Sequence, residues 1–521
     1  MITPQLVNGT EVKDEYLPVV VDAPIYSKKT NRKQVLNDYT DPYEKQAVKT
    51  DKAYRSFSLP YTQTVQLPDG IESGQIVAVV STDGCGSCTG IDTIDVAAIS
   101  NPISLIGDIK ESLQLAWIEP EFVIRPKIHE GRGEAKLQFS INKSDINLEM
   151  GDNRKEMEGM LNALQPILND TLATLNSVTI TGLASADGSL AFNTALSRNR
   201  AQSAKDWLSG ELHLNATHKK IITVNSRPEG WEPVLAAMTL AGDKDSIAIK
   251  AILEKYVNEN DDVQERYIRR LSCWSNIKDK YLQKDRKVEY QYSYTMKSFT
   301  TDSELLEMYE LRPDAFNEQE LLRVSTLKNS NEEKKEVYET LLKYFPQSQI
   351  GANNYAVLLL QEGNTRGAMD VLTRLANHSP ETLNSLAAAY IYNNEYEKAI
   401  ELLQEVEFPS AKYNLGLIKA QQRKLAEAYA LLRPFGDLNS SIVALSVNEN
   451  QEAEKILLRL KDSRPVAEYV RALTGARLEK DRMFYGHIEA ACKDSDLKER
   501  AAGEADFIRY HQDDKFINLI K

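Results

Sequence analysis

The spacing of apolar and polar residues changes several times along the chain and predicts a multidomain α+β protein. Residues 1–50 are polar and irregular, which indicates an extended arm or an edge strand. Residues 51–131 contain short alternating apolar runs at 56–67, 75–80, 91–96, 115–118 and 122–124. Alternation with a period of two is typical of strands that are buried on one face, and Asp-Gly, Asn-Pro and Glu-Pro pairs separate the runs. The pattern therefore predicts a small N-terminal β domain.

Residues 132–298 alternate between strand-like and helix-like patterns. The predicted strands lie at 136–142, 177–182, 218–224 and 287–296. The predicted helices lie at 155–168 and 193–209, and a helical insertion fills 229–283. On the first helix the apolar residues recur every three or four positions, as an amphipathic helix requires. This βαβαβ order predicts a two-layer α/β sandwich.

The chain is predicted to be helical after residue 298, with a helical linker at 299–345 and repeats at 346–521. Three similar stretches begin at Asn353, Asn384 and Asn414, a spacing of about 30 residues that is typical of stacked helical hairpins. Small residues on the first helix of each hairpin allow close packing, and leucines on the second fill the seam. The pattern predicts an all-α solenoid, with a shorter fourth unit near 453–458 and a cap at 466–516.

Length and composition narrow the function classes. A chain of 521 residues is too long for one hydrophobic core. The net charge of −13 argues against a nucleic-acid partner, which requires a basic face. The six histidines lack metal-ligand spacing, and the sequence contains no nucleophile motif or phosphate loop. We therefore predict a protein that is not an enzyme and that has neither a metal site nor a cofactor.

Cys85 and Cys88 form a close pair in a glycine-rich stretch. A redox-active pair normally opens a helix, which lowers the thiol pKa, but here an alternating run at 91–96 follows. The pattern favours a disulfide at a hairpin tip over a catalytic dithiol. Zinc would need two more ligands.

Residues 178–203 combine a strand, a glycine-containing loop and a helix that carries Asn193, a Leu-Ser pair and Arg200 followed by alanine. Together with the run at 139–142, this order and spacing resemble the signature of OmpA-like C-terminal domains over about 134–298. The loop variant at 184–188 is similar to versions from gut-type Gram-negative anaerobes.

The resemblance implies binding of diaminopimelate in the peptidoglycan stem peptide, through a loop aspartate and a helix arginine. Arg200 stands at the arginine position, whereas Ser185 stands at the aspartate position. Either Asp187 binds the amine instead, or peptidoglycan binding is weakened or lost. Arg200 could alternatively form a structural pair with Asp187 or Glu134, and Asn193 could serve as a helix cap.

The helical repeats resemble tetratricopeptide repeats, on Tyr390, Ala399 and the turn at 393–396. This resemblance implies a groove for a protein partner, whose identity the sequence does not give. We therefore expect a scaffold protein of the outer membrane that binds peptidoglycan and a protein partner. It would be exported, as a lipoprotein with a signal that precedes residue 1. The alternative is an interaction adapter whose OmpA-like domain has lost peptidoglycan binding.

Overall fold

The computed structural model describes residues 1–8, 11–37, 40, 47–49, 58–63, 73–83, 89–140, 142–228, 230–282 and 287–521. These residues form two compact units. The first unit comprises Met1–Ile118 and Ala352–Lys521, and the second comprises Glu119–Gly351. This division differs from the linear series of domains predicted from the sequence, because the first unit joins the two ends of the chain.

The strands are β1 (Ile2–Asn8), β2 (Glu11–Glu15), β3 (Val20–Asp22), β4 (Ala47–Lys49), β5 (Ser73–Asp83), β6 (Thr89–Ser100), β7 (Lys127–Ala135), β8 (Ala173–Ala184), β9 (Ile222–Pro228) and β10 (Val288–Met296). The helices before residue 345 are α1 (Pro24–Asn37), α2 (Asn153–Asn169), α3 (Leu190–Glu211), α4 (Ala216–Ile221), α5 (Trp231–Leu240), α6 (Ser246–Lys255), α7 (Asp261–Ile268), α8 (Trp274–Lys280), α9 (Asp302–Leu311), α10 (Glu318–Leu327) and α11 (Asn331–Tyr344).

The later helices are α12 (Gln349–Gln361), α13 (Thr365–Thr373), α14 (Pro380–Tyr392), α15 (Tyr396–Gln404), α16 (Pro409–Gln421), α17 (Leu425–Leu432), α18 (Leu438–Ser446), α19 (Asn450–Arg459), α20 (Pro465–Arg477), α21 (Asp481–Ala491), α22 (Ser495–Gly503) and α23 (Asp514–Ile520). No helix in the described part of the chain is both long and apolar enough to cross a membrane.

The first unit begins with a four-stranded sheet in the order β2-β1-β5-β6. β1 pairs antiparallel with β2 and β5, and its Leu6 side chain is fully buried. The described part of this segment does not form an extended arm. Its strand β2 lies at the edge of the sheet, as the alternative prediction has it, whereas β1 lies inside, and a single buried leucine among polar residues gave little periodic signal for it. The alternating runs at 75–80 and 91–96 do form paired strands. The runs at 115–118 and 122–124 are neither strand nor helix, and the same holds for 58–63, the described part of the run at 56–67.

The helical part of the first unit consists of successive helix pairs from α12/α13 to α20/α21. Each pair turns through one residue with a left-handed backbone, and these residues have φ between 56° and 79° at Gly363, Asn394, Arg423, Asn448 and Glu479. The next main-chain N–H then donates to a carbonyl five residues earlier, as between Lys480 and Gly475 at 2.8 Å. The recurrence of this turn makes α20/α21 a fifth pair, within the region that was predicted to be a cap.

The second unit contains a sheet in the order β7-β10-β8-β9, in which only β8 and β9 are parallel. Helices α2 and α3 supply Met157, Met160, Ala204 and Leu208 to the core against this sheet. The predicted alternation of strands and helices is present, and the unit is α+β. The predicted strand at 218–224 is wrong in its first half, because α4 extends to Ile221 before β9 begins.

The first strand of this sheet is β7 at 127–135, and not the predicted run at 136–142. Gly131 and Gly133 in β7 lie beneath tyrosine rings of β10, and a Cβ atom on Gly131 would stand 2.2 Å from the Tyr292 ring. These glycines and the flanking charged residues conceal the strand pattern. The predicted run lies beside α2 instead, where Asn153 accepts the main-chain N–H of Gln138 at 2.7 Å.

The residues predicted as a linker, 299–345, pack within the second unit as α9, α10 and α11. A buried ion pair links α10 to β7, with Lys127 Nζ 2.9 Å from Glu320 Oε2. Lys127 also donates to the carbonyl oxygen of Ala315 at 2.7 Å. The buried pair therefore joins the segment 299–345 to the sheet. The insertion before β10 forms α5 to α8 around its own core, which includes Trp231, Met238 and Ile268.

Candidate functional site

The loop between β8 and α3, residues 185–189, is the ligand loop that the resemblance singles out. Asn193 on α3 is 4% exposed, and its Nδ2 donates to the carbonyl oxygens of Ser185 (3.0 Å), Asp187 (3.3 Å) and Gly188 (3.1 Å). The cap of α3 is Ser189, whose hydroxyl accepts the N–H of Phe192. Asn193 therefore fixes the shape of the ligand loop and does not cap the helix.

Ser185 and Asp187 contact each other in the ligand loop. The Ser185 hydroxyl donates to the Asp187 carboxylate, and the Ser185 side chain is buried. The structure thus brings together the residue at the family's aspartate position and the nearest carboxylate. One side of that carboxylate is already hydrogen-bonded within the loop.

Arg200 lies between α3 and β8 and is 3% exposed. Its Nη1 donates to the carbonyl oxygen of Leu183 at 3.1 Å, and its guanidinium carbon lies 4.6 Å from the centre of the Phe139 ring. Glu134, one of the structural partners considered for this arginine, pairs with Lys287 at 2.7 Å. Hydrogen bonding to main chain and stacking on an aromatic ring are both typical structural uses of a guanidinium.

The insertion supplies two carboxylates to the start of α3. Glu265 Oε1 accepts the N–H of Gly188 at 2.7 Å, and Asp262 Oδ1 accepts the N–H of Leu190 at 2.7 Å. Glu265 is 8% exposed and also pairs with Arg269 at 2.7 Å. Main-chain N–H groups at a helix N-terminus bind anions, because the helix dipole is positive there. In this protein the anions that these N–H groups bind are the carboxylates of Asp262 and Glu265, which both lie on helix α7.

Further acidic groups surround these two carboxylates. Burial, followed by the charges of Glu232 and Asp262, raises the pKa of Asp261 above its usual range. A Cβ atom on Gly230 would lie 2.9 Å from a Glu232 oxygen and 3.4 Å from an Asp261 oxygen, so the acids converge on this glycine. These acids disfavour the approach of another carboxylate.

A second candidate site lies in the helical part of the first unit, where residues 113–118 follow an extended path. We call residues 113–118 the inner segment. Asn414 on α16 binds the main chain of Gln114 twice: its Oδ1 accepts the N–H at 2.8 Å, and its Nδ2 donates to the carbonyl at 3.0 Å. Asn384 on α14 donates to the same carbonyl at 2.9 Å. Side chains of two helix pairs therefore bind one residue of the inner segment.

The same arrangement recurs on α12. Asn354 Oδ1 accepts the N–H of Ile118 at 2.9 Å, and its Nδ2 donates to the Ile118 carbonyl at 2.7 Å. Asn353 donates to the carbonyl of Ala116, and its Oδ1 accepts the Ser385 hydroxyl at 2.8 Å. We call the surface lined by the fully buried side chains of these residues the asparagine groove; its members are Asn353, Asn354, Asn384 and Asn414.

Apolar contacts accompany these hydrogen bonds. Leu113 and Leu115 of the inner segment pack against the helices from α12 to α15. Upstream, Ile103 and Ile109 are buried among the helices from α14 to α18. The surface that the four asparagines line is therefore occupied by the chain itself. Repeated asparagines on apolar helices were visible in the sequence, but their main-chain partner was not.

The cysteines divide between described and undescribed parts of the chain. Cys85 and Cys88 lie outside the described residues, and β5 and β6 pair antiparallel up to Asp83 and Thr89 on either side of them. The two described cysteines, Cys273 and Cys492, are free. Burial raises the pKa of both thiols, which lowers their reactivity.

Comparison with known proteins gives little further information. No protein-family model and no curated protein sequence matches the chain. Among solved structures it is similar to the OmpA-like domain of FopA1 from Francisella tularensis subsp. tularensis SCHU S4. The two are 16% identical over 35% of this chain and 86% of that chain, with a TM-score of 0.17. Membership of the OmpA-like and tetratricopeptide families stays a prediction from the sequence.

Proposed function

We propose that this chain is a non-catalytic interaction adapter of the cell envelope, whose OmpA-like region does not bind peptidoglycan. The observation that carries this proposal is the occupation of the ligand loop by Glu265 and Asp262. These carboxylates hold the N–H groups of Gly188 and Leu190, which are then not available to an external carboxylate. The envelope location follows from the sequence resemblance alone.

The position of Arg200 supports the same conclusion. An arginine binds a carboxylate best when both arms of its planar guanidinium are presented to it. Arg200 is instead buried against Phe139 and bonded to the Leu183 carbonyl, so a ligand would have to separate α3 from neighbouring elements to reach it. These contacts are those of a residue that packs the core, so they explain why the motif has an arginine here without a ligand.

The energetics of exchange also favour the adapter. A hydrogen bond to a charged group contributes about 1.5–3 kcal/mol. A diaminopimelate carboxylate would replace an existing carboxylate, so it would gain little net hydrogen bonding, and it would still lose translational freedom. The surrounding acids also repel that carboxylate. The exchange at these two N–H groups therefore supplies little affinity for a carboxylate of the wall.

The test is retention of the full chain on purified peptidoglycan sacculi, together with calorimetric titration of a diaminopimelate-containing muropeptide. We expect no saturable heat, and retention no higher than that of an unrelated acidic protein. A known peptidoglycan-binding domain serves as the positive control. Saturable binding that free diaminopimelate competes away would overturn the proposal.

Wall binding after displacement of the insertion is a second candidate, because the ligand loop does bind carboxylates, although they belong to its own chain. This candidate predicts that the double variant Asp262→Asn/Glu265→Gln gains retention on sacculi. The adapter predicts no gain. The two functions are therefore separated by one pull-down with wild type and the double variant side by side.

A further inference from the structure

The contacts of the asparagine groove indicate which class of partner the proposed adapter binds. We propose that it is a binding site for an extended peptide, and that the inner segment occupies it as an internal competitor. A partner then binds through an extended stretch of its own chain, after the inner segment is withdrawn. This inference rests on the proposed adapter function and names the class of its partner.

The groove binds main-chain atoms. Its asparagines contact main-chain groups of Gln114, Ala116 and Ile118, and these residues are two apart, which is the repeat of an extended chain. Every residue except proline offers the same N–H and carbonyl. A peptide of different sequence can therefore make the same hydrogen bonds and could replace the inner segment.

The groove also requires an occupant. Its four asparagine side chains are fully buried while the inner segment is in place. Withdrawal of the segment would remove main-chain partners from all four, Asn353, Asn354, Asn384 and Asn414, and water would have to replace them. It would also expose the apolar helix surface that Leu113 and Leu115 cover, and this exposure favours a new occupant over a vacant groove.

Side chains of the inner segment define what the partner must carry. Leu113 and Leu115 pack among the helices, whereas Trp117 is 36% exposed. The site therefore takes aliphatic side chains two residues apart and tolerates a large residue beyond them. Direction is also fixed: Ile118 contacts α12 and Gln114 contacts α16, so the peptide runs opposite to the order of the helices.

The experiment uses a fluorescein-labelled synthetic peptide with the sequence of residues 110–119, added to full-length protein. The double variant Leu113→Asp/Leu115→Asp places two charges against the apolar helices and expels the inner segment. We expect the peptide to bind this variant at least tenfold more tightly than wild type, measured by fluorescence anisotropy. Trp117→Asp, at the more exposed position of the same segment, is the control and should raise peptide binding much less than the double variant does.

A second pair of variants tests the asparagines in the background of the double variant. Asn414→Ala should abolish peptide binding. Asn439→Ala should preserve it, because Asn439 is a buried asparagine of α18 that donates to the Tyr413 hydroxyl. Should the double variant lose its helical circular dichroism, Leu115→Ala replaces it, with a smaller expected gain in affinity.

The proposal is overturned if the peptide binds wild type and the vacated variant equally, or binds neither. Either result would make the inner segment a fixed part of the fold. Neither result touches the muropeptide titration, which alone decides whether the ligand loop binds the wall. Failure of the peptide site and failure of the adapter function are therefore distinguishable.

Discussion

The ligand loop lies where the resemblance predicts a ligand, the asparagine groove lies on the helical repeats, and in both the chain supplies its own occupant. They differ in chemistry. Two carboxylates of the insertion close the ligand loop, whereas neutral amides hold the inner segment. Interactions of charged groups weaken with salt and change with protonation, while amide hydrogen bonds change little. The comparison teaches that salt can weaken the closure of the ligand loop, whereas we expect the closure of the asparagine groove to open only for a competing chain.

The largest effect is expected at the amide closure. Asn414→Ala removes three hydrogen bonds, two to Gln114 and one to Asn384, and takes away the acceptor of the Gln114 N–H, whereas the Gln114 carbonyl keeps its bond from Asn384. We expect a loss of about 3 kcal/mol in the free energy of unfolding, independent of salt. Urea denaturation at 0.05 and 0.5 M NaCl measures it. A salt-dependent loss would contradict the neutral character of this closure.

Arg200→Met should cost about 2–3 kcal/mol, because it removes the bond to the Leu183 carbonyl and the stacking on Phe139. Thermal unfolding measures the change, and retention on sacculi should stay at the wild-type level. The exposed neighbour Arg198, changed to Met, is the matched control and should alter stability by less than about 0.5 kcal/mol. A selective loss of retention with unchanged stability would restore Arg200 as a ligand residue.

Glu265→Gln should cost about 1–2 kcal/mol, because a neutral carboxamide accepts the Gly188 N–H and pairs with Arg269 more weakly. The loss should be smaller at 0.5 M NaCl than at 0.05 M, in contrast to Asn414→Ala. Amide hydrogen exchange of Gly188 reports local opening directly. Glu259→Gln, at an exposed position, is the control. If salt changed the stability loss of Glu265→Gln no more than that of Glu259→Gln, the two closures would not differ in their response to salt.

The smallest effect on the free energy of unfolding is expected at the ion pair between Asp170 and Arg312, which lies outside both sites. Hydrogen bonds from Arg312 hold the pKa of Asp170 below its usual value of 3.8. A lowered pKa stabilises the fold above pH 3.8 and loses that contribution as the pH falls through the lowered value. Asp170→Asn should therefore cost about 0.5–1 kcal/mol at pH 7, since partly exposed pairs are screened, and the cost should shrink as the pH falls below 3.8. A cost that stays constant as the pH falls would contradict the electrostatic cause.

The predictable part of the fold was the part with strong periodicity. Alternating runs gave β5 and β6, and the 30-residue spacing gave the helix pairs. β7 was missed because glycines replace apolar residues beneath the Tyr290 and Tyr292 rings. The motif singled out Asn193 and Arg200, but it carried no information about their burial.

The occupants of both sites were invisible for a different reason. Glu265 lies 77 residues from Gly188, and Asn414 lies 300 residues from Gln114. A short sequence pattern reports only on residues that are close together along the chain. It therefore could not show that Glu265 and Gln114 occupy the two sites. Buried asparagines at repeated positions were the one signal that pointed to the groove.

The separation of 300 residues between Gln114 and Asn414 has a consequence for biosynthesis. At about 5–20 residues per second, the ribosome completes α16 on the order of 15–60 s after it has made the inner segment. During that interval Leu113 and Leu115 have no helices to cover them, and the nascent chain presents an apolar strand to chaperones or to neighbouring polypeptides. Productive folding of the first unit is therefore a late event in translation, and its yield should depend on how the cell shields this stretch until the helices emerge.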